Sequence, residues 1–194
     1  ALIGLAGAHR AHLVGHSHGG AIAGIHALDQ PQTVTTLTLI EPMLTHLLGQ
    51  SDERAAWKEA HSQATLHQEA VAAGRLDETA EAFIPYWTGR AAWKSMPSDR
   101  KAAIVRSMPG IAEFWRAQLA ETQPLSAFAA MVPPALLLSG AATPAPARAI
   151  IRLLQGAMPS ATVVEVPGAG HMVPLTHGDA VNAAIEAHLA RAGV

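Results

Sequence analysis

The sequence predicts an α/β fold: a parallel sheet covered by helices, with a helical cap insertion. Three observations carry this. Short apolar runs of strand length alternate with helix-period segments at both ends of the chain. Those runs are nearly continuous in apolar residues, as strands buried on both faces are. Between residues 44 and 130 the strand signal stops and Ala-rich amphipathic patterns replace it.

The elements follow in order. Residues 12–16, His-Leu-Val-Gly-His, form a short apolar run ended by a glycine turn. A helix is expected from Gly20 to Asp29, with Ile22, Ile25 and Leu28 at three-residue steps. Residues 34–40, "VTTLTLI", are rich in β-branched side chains and read as a second strand. In the middle segment the runs 52–73 and 99–120 read as helices, punctuated by Gly74, Pro85, Gly89, Pro97, Pro109-Gly110 and Pro124. All four tryptophans (Trp57, Trp87, Trp93, Trp115) and the single tyrosine, Tyr86, lie there. Residues 135–139, "ALLLS", form the third strand after Pro133-Pro134. A helix over 145–155 carries Ile150, Ile151 and Leu154. Thr143 is its expected N-cap, Pro144 its first position and Gly156 its stop. The fourth strand, "TVVEV" at 162–166, ends at Pro167-Gly168. The last helix opens with a capping-box relative, Thr176 to Asp179, and aligns Val181, Ile185 and Leu189. The expected organisation is one core built from 1–43 and 131–194, with a cap at 44–130.

Composition narrows the function classes. The chain has 194 residues, 49% apolar and 14% charged, which is globular rather than disordered. Its formal net charge is −2 and its Lys and Arg form no cluster, so nucleic acid and anionic membrane surfaces are not expected partners. Without cysteine there is no disulfide framework and no thiolate metal site, which favours a cytoplasmic setting. No apolar run is long enough to span a bilayer.

The chemistry concentrates in "AHLVGHSHGGAIAGIHALDQ", residues 11–30. Gly15-His16-Ser17-His18-Gly19 fits G-x-S-x-G between a strand and a helix, with a further glycine at Gly20. Small flanking residues let strand and helix approach while the serine is held clear on a strained turn. The helix N-terminus beneath supplies N–H groups, that of His18 among them, for a developing oxyanion. His16 and His18 as metal ligands would point apart from a tight turn, with no carboxylate nearby, so no metal is expected. The best-placed base is His171, on the Gly-rich loop after the last strand. His177 competes but falls in the first turn of the final helix.

"HLVGHSHGG", "LTLIEP", "PALLLSG" and "VVEVPGAGHMVPLTHGDAVNAAI" together resemble the α/β-hydrolase family. The resemblance implies a Ser17 nucleophile, a His171 base, a helical cap and no cofactor. In most relatives the acid lies in a Gly-x-x-Asp pattern after the post-cap strand. Here that place reads Gly140-Ala141-Ala142-Thr143, with no carboxylate before Glu165. Some relatives, certain haloalkane dehalogenases among them, take the acid from the end of the strand after the nucleophile, which here is Glu41. Relatives also carry about half of their sheet before the elbow, including a loop that supplies the other oxyanion N–H. The resemblance therefore covers the carboxyl-terminal part of such a fold, with residues 12–16 expected as an uncovered edge strand. The implied function is hydrolysis of an ester or related carbonyl through Ser17, His171 and Glu41 and an acyl-enzyme. The alternatives are hydrolysis of a C–C bond on the same triad, or a non-catalytic hydrolase-fold module or inactive fragment. His16, Tyr86, Trp87 and Trp93 are candidate lining residues for a small apolar or aromatic substrate.

Overall fold

The apolar runs become parallel strands whose carboxyl ends all lie on one side of the sheet. The computed structural model describes residues 2–5 and 7–193. A short helix α1 (Leu2–Leu5) precedes β1 (Ala11–His16), α2 (His18–Asp29) and β2 (Val34–Ile40). Six helices follow without a strand: α3 (His46–Gly49), α4 (Arg54–Ala72), α5 (Leu76–Thr88), α6 (Arg90–Lys94), α7 (Ser98–Ala120) and α8 (Leu125–Phe128). The chain then returns through β3 (Ala135–Gly140), α9 (Ala145–Ala157), β4 (Thr162–Val166), α10 (Val173–Thr176) and α11 (Gly178–Arg191).

The sheet order is β1-β2-β3-β4, all parallel, with β1 and β4 at the edges among the described residues. His16 pairs with Ile40, Ile40 with Leu138, and Gly140 with Val166. This register delivers the residues after each strand to one end of the sheet, where open α/β sheets place their sites. β2 and β3 are the buried centre. Leu37, Leu39 and Leu137 pack with α2 and α9 on one face, and Ile40, Leu138 and Val166 pack with α11 on the other. At the β1 edge Val14 is half exposed. The helices between β2 and β3 have a cluster of their own, with Ala64, Trp87 and Trp115 packed on Met43 and Ala147 of the sheet-bearing part. No helix among the described residues is long and apolar enough to cross a membrane.

Several local expectations are corrected. α2 starts at His18, and it buries Gly20, Ala21, Ala23, Gly24 and Ala27 while Ile22 is 58% exposed. The helix lies so near the sheet that only small side chains fit, and a Cβ at Gly24 would already meet Phe128 at 3.6 Å and Leu39 at 3.7 Å. Pro85 and Pro109 do not end helices but lie inside α5 and α7. The buried faces of those helices, Met108, Ala112 and Trp115 on α7, outweigh one lost backbone bond. Thr143 does not cap α9: Pro144 holds the cap position and the helix runs past Gly156 to Ala157. α11 has no side-chain cap, because the Thr176 hydroxyl pairs with His177 Nδ1 at 2.9 Å. Its buried residues are Val181 and His188, with Ile185 and Leu189 half-buried.

The tight α2 contact gives a size limit measurable by urea unfolding. Gly24→Ala adds a methyl at ordinary contact distance and is expected to stabilise by about 0.5–1 kcal/mol through helix propensity. Ala27→Leu overfills a site that is 1% exposed and is expected to cost about 1–3 kcal/mol.

Candidate active site

The turn after β1 holds Ser17 at φ 55° and ψ −122°, a left-handed conformation unusual outside glycine. It persists because its backbone is tied on both sides. The Ser17 N–H donates to the Ile40 carbonyl at 2.9 Å, and its carbonyl accepts from Ala21 at 3.1 Å and Met43 at 3.0 Å. The glycines around it are set by crowding. A Cβ at Gly15 would lie 2.4 Å from the Gly19 carbonyl oxygen, and one at Gly20 would lie 3.0 Å from Pro42 Cα. Gly19 itself faces open space, so the steric demand falls on Gly15 and Gly20. The N–H groups of His18 and Gly19, at the start of α2, find no carbonyl acceptor among the described residues. They are free donors at the positive end of a twelve-residue helix.

His171 arrives from the loop between β4 and α10, buried to 3% exposure. Its Nε2 lies 2.9 Å from Ser17 Oγ and its Nδ1 lies 2.6 Å from Glu41 Oε2. The carboxylate fixes the tautomer: Nδ1–H donates to Glu41, which leaves Nε2 to accept from the serine hydroxyl. Glu41 follows β2 directly at φ 44° and is fully buried. Its Oε1 accepts from the Gly140 N–H at 2.7 Å, and its Oε2 also accepts from the Thr143 hydroxyl. Three donors thus converge on one buried carboxylate, the condition for placing that charge away from water. The loops that bring them are tied together, with the Ala142 N–H donating to the Ala169 carbonyl at 2.8 Å.

The two histidines that flank the serine go to different partners. His16 donates Nε2–H to the His171 carbonyl at 2.8 Å, with ring centroids 5.0 Å apart. His18 stacks on Phe114 at 4.1 Å, and its Nδ1 lies 3.4 Å from Gln118 Nε2. Burial pushes the imidazole pKa of both below the ordinary histidine range. No group of three or more His, Asp or Glu side chains among the described residues is arranged to hold a metal. His177, bonded to its neighbour Thr176, does not border the site.

A cleft of about 1380 Å³ opens over Ser17, His18 and His171. Helices α5 and α7 roof it with Trp87, Ile104, Phe114 and Trp115, and the Trp87 ring lies 4.2 Å from that of His171. His16, Tyr86 and Trp87 border this cleft. The Tyr86 phenol donates to Glu59 at 2.6 Å, and burial together with that carboxylate raises its pKa. Trp93, on α6, borders not this cleft but a second cavity of about 760 Å³, which Tyr86 borders as well, and Lys101 Nζ lies 5.2 Å from its ring. Phe114 and Gln118 were not singled out in the sequence. Their signal was the amphipathic period of α7, which carries no mark of what it faces. Thr143, expected as a helix cap, donates its hydroxyl to Glu41 instead.

A family model described as "Alpha/beta hydrolase family" matches residues 1–184. No curated protein matches the chain. Among solved structures, a hydrolase from Pseudomonas aeruginosa aligns with TM-score 0.74 and 23% identity, covering 97% of this chain and 68% of that one. A thermophilic esterase from Thermogutta terrifontis aligns with TM-score 0.72 and 19% identity, covering 100% and 70%. An enol-lactonase from Burkholderia xenovorans aligns with TM-score 0.67 and 17% identity, covering 97% and 69%. At these identities the likeness is one of fold.

The three-donor arrangement at Glu41 sets the expected cost of removing one donor. Thr143→Val leaves a buried carboxylate oxygen short of a partner and is expected to lower unfolding free energy by about 1–3 kcal/mol. Thr143→Ser, which keeps the hydroxyl, is expected near wild type. Equal stabilities for the Val and Ser variants in urea unfolding would contradict a role for that bond.

Proposed function

The chain belongs to the alpha/beta hydrolase family, and from that premise we propose that it is a serine hydrolase cleaving an ester or related carbonyl. The observation that carries this is the unbroken chain of hydrogen bonds from Ser17 Oγ through His171 to Glu41, at 2.9 and 2.6 Å, open to a cleft. Residues 1–43 and 131–194 act as the catalytic core and 44–130 as the cap.

The steps follow from the geometry. Ser17 Oγ attacks the substrate carbonyl carbon while its proton passes to His171 Nε2. The carbonyl oxygen takes the electron pair and accepts a hydrogen bond from the His18 N–H. Glu41 stabilises the imidazolium and keeps it in register. When the intermediate collapses, the bond to the leaving oxygen breaks and His171 delivers its proton there, leaving an acyl group on Ser17. Water then gives a proton to His171 and attacks the acyl carbon. Collapse expels Ser17 Oγ, which recovers the proton and releases the acid.

The roof supports an apolar or aromatic acyl group. Ile22, Phe114 and Leu175 border the cleft and are 58%, 43% and 69% exposed, beside Ile104 and Trp87. Such rims gain by covering when an apolar substrate enters.

A fluorophosphonate probe followed by peptide mapping is expected to label Ser17 and to leave Ser17→Ala unlabelled. Labelling at another serine would remove the basis for the assignment. On p-nitrophenyl esters, Glu41→Gln is expected to lower kcat by roughly 10³–10⁴-fold, because the amide no longer favours the Nδ1–H tautomer of His171. Wild-type turnover in that variant would place the acid elsewhere.

A further inference from the structure

We propose that His16, the residue before the serine, is a positioning residue for His171, fixing the loop that carries the base by a hydrogen bond to its main-chain carbonyl. This rests on the serine-hydrolase reading above.

The geometry leaves little latitude in how the bond is made. His16 is the last residue of β1 and pairs with Ile40 of β2, so its backbone belongs to the sheet. Its Nε2 meets the His171 carbonyl at 2.8 Å across 155 residues of sequence. A carbonyl only accepts, so the proton sits on Nε2 and the imidazole is the donor. The main chain of the loop it reaches has few other ties at that point. The loop contains Gly168, at φ 72°, and Gly170. It is tied at entry, where Ala169 accepts from Ala142, and at exit, where Met172 accepts from Leu175 and Thr176. At residue 171 the only main-chain hydrogen bond among the described residues is the one from His16. A general base must be held to within about half an ångström of its productive place. His16 supplies that restraint from the same strand end that carries the serine.

Charge makes the identity of the donor matter. During turnover His171 takes a proton with its ring 5.0 Å from that of His16. A permanently cationic donor there would oppose the imidazolium. The groups facing His16 are His171 from the β4–α10 loop and Glu41 from the end of β2. Burial is the largest influence and lowers the His16 pKa, His171 acts in the same sense, and the carbonyl bond and Glu41 oppose it. The sign is plain: His16 stays neutral through neutral pH and gains charge only on the acid side of the ordinary histidine range.

The test compares His16→Leu, which removes the donor, with His16→Gln, whose side-chain amide places an N–H near the position of Nε2. With p-nitrophenyl esters, His16→Leu is expected to lower kcat by about 10–100-fold with KM changed by less than about twofold. His16→Gln is expected to recover most of kcat. Wild-type kcat in His16→Leu would overturn the proposal. Equal losses in the two variants would also overturn it, since that marks a packing role only. If His16→Leu fails to fold, His16→Asn replaces it, because its shorter amide falls short of the carbonyl, and the same two criteria apply. Fluorophosphonate labelling separates the two levels of inference. A wild type unlabelled at Ser17 removes the serine-hydrolase reading and this proposal with it, whereas a labelled Ser17 with an indifferent His16 removes this proposal alone.

Discussion

A carboxylate without solvent has to be surrounded by donors, and the site is organised around meeting that condition at Glu41. Its two oxygens draw in the Gly140 N–H from the end of β3, the Thr143 hydroxyl from the turn beyond, and His171 from the loop after β4. Each donor comes from a different point in the sequence, so the carboxylate acts as a knot joining three strand ends. Breaking a buried charge from its partners costs far more than an ordinary hydrogen bond contributes. Glu41 is therefore both a structural tie and the group that orients the imidazole. The two tasks reinforce each other, because the donors that make its burial tolerable are the ones that fix its position.

The sheet makes that knot possible. Parallel strands ending on one side of the sheet bring the residues at 17, 41, 140–143 and 167–171 within side-chain reach. Above them helices α5 and α7 contribute aromatic cover. Trp87 lies against the His171 ring and Phe114 against that of His18, so both imidazoles are shielded on one face. That shielding strengthens the polar contacts beneath by excluding water.

Much of this was legible in the sequence, and for identifiable reasons. The strands were marked by short β-branched and leucine runs bounded by glycine and proline. Ser17 was marked by glycines that a close strand-helix approach requires, and the empty Gly-x-x-Asp position turned attention to Glu41. What was not legible depended on distance between elements. The buried face of α2 is its small one, against the hydrophobic period, because separation from the sheet rather than apolar content decides which residues fit. Thr143 has the composition of an N-cap, and only the fold brings a carboxylate to its hydroxyl. Trp93 shares its segment with Tyr86 and Trp87, yet the packing of α6 turns it to another cavity. Pro85 and Pro109 read as stops because sequence shows the lost backbone bond and not the tertiary face that compensates for it.

The pairing of His16 with Ile40 has a mechanical meaning. Ser17 and Glu41 each stand one residue beyond a member of that pair, so two hydrogen-bonded strands set their separation. Thermal motion of the sheet carries both together as one body. The imidazole joins that frame from another strand end, held to it through Glu41, Ser17 and the bond from His16. Alignment of the constellation thus follows the register of the sheet, and a one-residue slip between β1 and β2 would part nucleophile and carboxylate by about 3.3 Å.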